Sequence, residues 1–466
     1  MTLSVLVTIA LFVLGPLAVL GLARLARPIE LAIGFAGIAA IWAFGYVAMT
    51  APGLAAGEVL FAAMLVAVAA AGFVAGRHGA SPVRTGLVIA IANLLVLGAF
   101  LRDEKGGSQA TPILYVGGMF LGCTVLALVG GLLGRRKPPS RPLPAANALF
   151  PAVASIIVCI MLITGGLVTG LESGLAVPDW PNSFGHNMLL YPISEMKGGI
   201  YWEHAHRLFG MLVGTTALVL LSVIWRTDPR PFARTLAIGI LVMVCIQGLM
   251  GGLRVTGNLT LSQDASDLAP SLALAIAHGV FGQLVLAAML VLAAMGTERW
   301  RNGPAPAVTA SATTDWSLTA AVPLALLLQL VLGALYRHLQ PVGGTGVSDP
   351  NHPLWAIYLH IGFAVVVTGL VLAAGMRAMA SGLGGPVRLI GHLMLMAVAV
   401  QVLLGILAVV AVWTRGGEKI PVFEVAITTA HQATGAVLLG LSVLLAAWTR
   451  RLVLPEGREQ AVPSSA

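Results

Sequence analysis

Hydrophobic and polar positions divide the chain into long apolar runs separated by short polar breaks. A helix needs about 20 mostly apolar residues to cross a bilayer. On that measure the runs predict thirteen spans, near 2–23, 29–51, 57–76, 83–101, 111–133, 147–169, 201–225, 233–256, 271–295, 317–337, 354–379, 387–413 and 422–449. The first run could pass for a cleaved signal peptide. Its charges, Arg24 and Arg27, follow the apolar stretch instead of preceding it, and no clean small-residue cleavage site stands before them, so it reads as a retained helix.

Composition agrees with this pattern. Apolar residues make up 58% of the chain and charged residues 9%, with a mean hydropathy of +0.94; soluble domains carry roughly 25% charged residues. The 55 glycines suit helices that pack closely in lipid. Cys123, Cys159 and Cys245 all fall inside apolar runs and read as small packing residues, not as a disulfide or metal set.

Charge placement gives the orientation. The 26 Lys and Arg divide 18 to 8 between alternate breaks. The poorer side holds Arg102, Lys105, Lys197, Arg207, Arg254, Arg337, Arg415 and Lys419. Cytoplasmic loops collect Lys and Arg, so the expected topology is multi-pass in the plasma (inner) membrane, with the N-terminus outside and the C-terminus cytoplasmic. Topology accounts for the net charge of +8, and no nucleic-acid partner is called for.

The best linker is the charged, proline-rich stretch Arg135 to Pro144. It predicts a five-helix membrane region over 1–134, a linker over 135–146, four-helix halves over 147–300 and 301–452, and a tail over 453–466. The last eight helices repeat. Gln247-Gly-Leu-Met-Gly251, Gln329-Leu-Val-Leu-Gly333 and Gln401-Val-Leu-Leu-Gly405 align, and Met161-Leu-Ile-Thr-Gly165 matches without the glutamine. Each is followed by a loop and then a helix with a histidine near its start: His206, His278, His360 and His431. The interval from glycine to histidine is 41 residues in the first unit and 27, 27 and 26 in the others; the loop 171–200 supplies the excess. The predicted fold class is thus an all-α integral membrane protein of about 13 transmembrane helices, the last eight forming two pseudo-repeated four-helix bundles.

The four histidines occupy one depth, roughly two turns or about 10 Å into their helices. Charged side chains within a span cost about 2.5–3.5 kcal/mol on insertion scales, and a neutral histidine still needs a partner. A single histidine here reads as a hydrogen bond to a neighbouring helix, but four at one level point to metal ligation. Zinc calls for Cys or carboxylate beside the histidines. Paired imidazoles on the two axial faces of a haem iron, inside an apolar bundle, fit better. Glu203 precedes His206 by three residues on the same helix face. It is a candidate catalytic residue: a partner that orients the imidazole, a base, or a stabiliser of developing positive charge, against the plainer reading of a surface acid at the helix mouth. His204 points elsewhere and is expected at the interface.

These segments resemble the haem A synthase family. The resemblance is carried by Glu172-Ser-Gly-Leu-Ala-Val-Pro-Asp-Trp-Pro181, by Glu203-x-x-His206-Arg207, by the Gln-x-x-x-Gly segments, by Leu332-Gly-Ala-Leu-Tyr-Arg-His338 and by Ala430-His-Gln432, over about residues 147–450. It implies that His206, His278, His360 and His431 are axial ligands of haem iron. His360 and His431 would hold a resident haem b, and the half with His206 and His278 would receive haem o. It also implies a role for Glu203 in oxidising the C8 methyl of haem o to a formyl group by successive hydroxylations. The implied partners are haem o and the membrane farnesyltransferase that makes it, the cytochrome oxidase assembly machinery and an electron acceptor or donor, with a homo-oligomer left open. Two features depart from the family. Val177 and Ser183 stand where many bacterial members have a cysteine pair, and residues 1–134 have no counterpart. With no polar constellation inside it, that region is expected to be dispensable for haem chemistry. The rival readings are a di-haem b electron carrier, which would place two ligands several turns apart on one helix, and a non-catalytic haem-binding assembly or transport protein. The latter would want charges near the midplane, whereas Glu58, Arg254 and Glu424 lie near span ends.

Overall fold

A computed structural model describes the chain except for residues 1–20, 22–23, 51–52, 102–109, 138, 257–271, 341–348, 418 and 457–466. The first expected span, including the question of a retained leader, lies outside the described residues. The other twelve expected spans are helices: α1 (Pro28–Ala48), α2 (Leu54–Arg77), α3 (Pro82–Leu101), α4 (Ala110–Arg135), α5 (Ala146–Gly170), α6 (Gly198–Thr227), α7 (Pro231–Thr256), α8 (Leu272–Gly296), α9 (Ala312–Leu339), α10 (Leu354–Ala380), α11 (Gly385–Trp413) and α12 (Val422–Leu452). Among the described residues eleven helices are long and apolar enough to cross a membrane, and α3 contributes a shorter apolar stretch. The chain is a multi-pass, all-α membrane protein. Several helices outrun their predicted spans, α6 reaching 30 residues and α12 31. Hydropathy marks only the part that suits lipid, whereas backbone hydrogen bonding continues until a cap stops it. Proline supplies several of the starts: Pro28, Pro82 and Pro231 open their helices, and Pro353 and Pro421 immediately precede α10 and α12.

Two compact units emerge. The first comprises residues 1–164, 173–256 and 295–297. Here α2 and α4 meet backbone to backbone: a Cβ on Gly76 would sit 2.1 Å from the Gly131 carbonyl oxygen, and one on Gly130 1.9 Å from that of Ala69. Such approach is open only to glycine and replaces side-chain interdigitation between these helices. A ridge on α1 lies along α5 and α6. Phe35 meets Phe150 at 5.3 Å between ring centroids, Trp42 meets Phe209 edge-on at 5.2 Å, and Tyr46 meets Tyr201 at 5.6 Å. Tyr201 Oη also donates to the Tyr46 carbonyl at 2.5 Å. At the junction of α6 and α7, Asp228 receives Arg230 at 2.6 Å and Asn147 at 3.2 Å. Burial alone would raise the Asp228 carboxyl, but these hydrogen bonds outweigh it and hold the group below the usual carboxylate range.

The second unit comprises residues 165–172, 257–294 and 298–466. Its helices α9, α10, α11 and α12 pack in sequence, and α12 closes the ring against α9. That is an up-down four-helix bundle, with Val322, Val371, Met394 and Leu438 in its core. At one end Ala307–Val308 pairs in parallel with Val453–Leu454, and Trp316 Nε1 donates to the Val453 carbonyl at 3.1 Å.

Candidate haem-ligand sites

The four histidines stand between the seventh and tenth residues of α6, α8, α10 and α12. Each is partly exposed.

In the second unit, His360 and His431 face each other across the bundle, with ring centroids 6.2 Å apart and planes inclined at 74°. This separation suits one metal ion between them. A metal–imidazole nitrogen bond is about 2 Å, and the nitrogen lies roughly another 1 Å from its ring centre, so two axial imidazoles would sit about 6 Å apart. The repeat motif packs directly on these rings. A Cβ on Gly333 would lie 2.9 Å from His360 Cε1, and one on Gly405 3.0 Å from His431 Cε1. Gln329 Nε2 donates to the His360 carbonyl at 2.9 Å and lies 3.2 and 3.3 Å from the two ring nitrogens; Gln401 Nε2 lies 3.3 Å from His431 Nε2. Among the described residues no group of three or more His, Cys, Asp or Glu could hold a metal ion. The donor set therefore fits a metal that brings its own equatorial ligands, as haem iron does.

Beyond these histidines, toward the starts of α10 and α12, the same unit buries a set of charges. Arg415 Nη1 lies 3.3 Å from Glu424 Oε1, with both side chains largely buried, and Arg337 reaches the Thr169 carbonyl. Tyr336 Oη is 3.1 Å from His352 Nε2.

In the first unit, His206 Nδ1 lies 3.1 Å from Thr164 Oγ1. Glu203 is not a surface acid: it is 3% exposed, with Oε1 2.6 Å from Arg207 Nη2 and Oε2 accepting the Val177 N–H at 2.8 Å. Arg207 in turn donates to the carbonyls of Val177, Asp179 and Asn182, fastening the loop 171–197 over the start of α6. A buried pair of this kind is costly to break from one side, about 3–5 kcal/mol. His204, expected at the interface, is fully buried instead; Ser183 Oγ stands 3.0 Å from its Nδ1 and the Tyr191 ring 4.9 Å away. The loop that folds back over α6 creates this burial, and helix periodicity cannot register it. Within the same loop Trp180 fills the space left by Gly252 of α7, where a Cβ would come within 2.3 Å of the indole. His278 lies on α8, in the second unit.

Sequence reasoning missed Thr164 as the partner of His206, and it missed Arg207 as the clamp on the loop. It found the Gln-x-x-x-Gly repeat without its purpose. The four-residue spacing was the available signal, since it puts amide and bare backbone on one helix face.

Residues 148–342 match a family model described as a cytochrome oxidase assembly protein. The chain is similar to the Heme A synthase of Rhodospirillum centenum, 28% identical over 359 residues, covering 67% of this chain and 89% of that protein. It is 23% identical over 356 residues to the Heme A synthase of Rhizorhabdus wittichii, covering 66% and 95%. It is 27% identical over 382 residues to that of Rhodopseudomonas palustris strain HaA2, covering 71% and 95%.

Proposed function

We propose that this chain, which belongs to the haem A synthase family, is a membrane oxidoreductase that converts the C8 methyl of haem o into the formyl group of haem A. The observation that carries this reading is the His360–His431 pair, whose 6.2 Å separation suits bis-imidazole ligation and which sits at the repeat positions where the family resemblance places haem ligands.

In this reading the half over 301–452 keeps a haem b on His360 and His431, and the half over 147–300 receives haem o through His206 and His278. The resident haem supplies one-electron redox capacity within the bundle. Glu203 supplies a negative charge close to His206. Two hydrogen-bond donors, Arg207 and the Val177 N–H, fix the direction of its carboxylate. A carboxylate held in this way stabilises positive charge that develops on the substrate as the methyl is oxidised. Arg207 keeps the loop closed over the same helix end, which excludes water from it. The membrane farnesyltransferase that supplies haem o, the oxidase assembly machinery that takes the product, and a membrane electron carrier are the corresponding partners. The topology proposed is N-terminus outside and C-terminus cytoplasmic, which sets all four histidines in the outer part of the bilayer.

Expression in a strain that makes haem o but no haem A, followed by extraction and separation of membrane pigments, tests the activity. Haem A, or its hydroxylated precursor, should appear with this chain and not with the empty vector. Membranes that contain the haem-loaded protein but only haem b and haem o would overturn the assignment.

A further inference from the structure

Several buried polar atoms around the histidines of the second unit have no hydrogen-bond partner. Gln329 Oε1, Gln401 Oε1 and His431 Nδ1 are all in this condition. Leaving a buried polar atom unpaired is costly, so three such atoms within one small region call for an explanation. The neighbouring contacts add a second anomaly. Gln401 presents its amide nitrogen to His431 Nε2 at 3.3 Å, and Gln329 presents its own to both ring nitrogens of His360. A donor aimed at a ring nitrogen occupies the lone pair that a metal would need.

Both anomalies are removed when each amide rotates and each ring turns to present Nδ1 to it, Gln329 giving up its 2.9 Å bond to the His360 carbonyl. An imidazole that binds iron through Nε2 must carry its proton on Nδ1, and that N–H requires an acceptor. Rotating the terminal amide of each glutamine exchanges its nitrogen and oxygen and brings Oε1 to the ring. The unpaired oxygen then accepts the Nδ1–H, and the amide nitrogen withdraws from the metal-binding side. Gly333 and Gly405, one turn along the same face from Gln329 and Gln401, leave the rings room to turn.

The first repeat already shows the arrangement that this requires. With its single hydrogen on the Met161 carbonyl at 2.9 Å, Thr164 Oγ1 accepts from His206 Nδ1 at 3.1 Å. In that arrangement His206 is the Nδ1–H tautomer, held by a hydroxyl where the later repeats use an amide.

We propose that Gln329 and Gln401 are positioning residues for the resident haem: each accepts the Nδ1–H of its histidine, selects the iron-binding tautomer and raises the basicity of that imidazole. The Gln-x-x-x-Gly repeat is then a histidine cradle, and its chemistry explains why glutamine and glycine recur together four residues apart. This proposal rests on the reading that His360 and His431 ligate a haem, and its test separates the two.

The test uses the full-length protein purified with its native haem, in wild-type form and as Gln329→Leu, Gln401→Leu, Gln329→Glu and Gln401→Glu. The measurements are the optical spectrum, haem retention and the midpoint potential of the resident haem. Leucine removes the acceptor, so haem affinity should fall by about 10–100-fold, the range for loss of such a supporting group, and the potential should rise. Glutamate is a stronger acceptor of the same shape, so the low-spin spectrum should persist and the potential should fall. A part that merely packs against the ring would not move the potential in opposite directions. If the leucine variants lose haem altogether, the glutamate variants decide: a lowered potential supports the proposal, and an unchanged or raised one overturns it. Potentials that stay at the wild-type value in all four haem-loaded variants would also overturn it. A wild-type protein without any haem that depends on His360 and His431 would instead reject the underlying ligand assignment.

Discussion

Replacing His360 or His431 by alanine removes one of two imidazoles whose rings stand 6.2 Å apart. The purified variants should lose the bis-imidazole low-spin spectrum of the resident haem, and a full, unaltered spectrum in both would refute their assignment as ligands. Glu203 offers a different lesson. A glutamine there preserves shape and an acceptor for the Val177 N–H, but removes the charge that faces Arg207. If that charge takes part in the reaction, haem A formation should fall by at least about 10²-fold, and haem o or a hydroxylated intermediate should accumulate while the haem of the other half is untouched. Normal haem A yield at matched expression would leave Glu203 as an anchor for the loop alone. His204, two residues from His206 and equally polar, is absorbed by Ser183 and Tyr191. Residue type nominated both histidines; only their partners separate a candidate ligand from a buried support.

Among the elements, α1 carries the clearest consequence. Its ridge of Phe35, Trp42 and Tyr46 packs on Phe150, Phe209 and Tyr201 of α5 and α6. The short turn Met188–Leu190 of the loop 171–197 also packs on α3. Aromatic pairs are worth about 0.5–1.5 kcal/mol beyond their buried area, so several in a row along α6 brace the helix that bears Glu203 and His206. This argues against the expectation that residues 1–134 are dispensable. A protein beginning near Leu143 should insert and retain the haem of His360 and His431, yet lose haem A formation and melt at a lower temperature in detergent. Unchanged turnover and thermal stability would show that α1 to α4 are an independent attachment. The glycine face between α2 and α4 bears the same stamp of specific packing: Gly76→Val should separate those helices, since even a single Cβ there meets backbone at 2.1 Å. Its readout is proteolytic sensitivity of the 1–134 region.

For the whole molecule, the proposed orientation rests on the 18-to-8 division of Lys and Arg. A reporter fused after Arg451 should be active in the cytoplasm and one inserted in the loop 171–200 should be exported; the reverse result would move the histidine layer to the other leaflet. The all-α membrane class was legible in the chain itself. Span number and helical class follow from hydropathy because lipid leaves no alternative to an internally hydrogen-bonded backbone. The common depth of His206, His278, His360 and His431 follows from the repeat, since a fixed interval from a helix start fixes a depth. What the sequence could not determine is which side chains meet across helices, because rotation and tilt are set by packing with neighbours. Tertiary structure alone placed His360 opposite His431, laid Gln329 and Gln401 on their rings, closed Arg207 over three loop carbonyls and set α1 against α6. The one-dimensional signal reports the solvent each residue tolerates; the partner it touches depends on contacts between distant segments, 155 residues apart for Tyr46 and Tyr201 and 168 for Thr169 and Arg337.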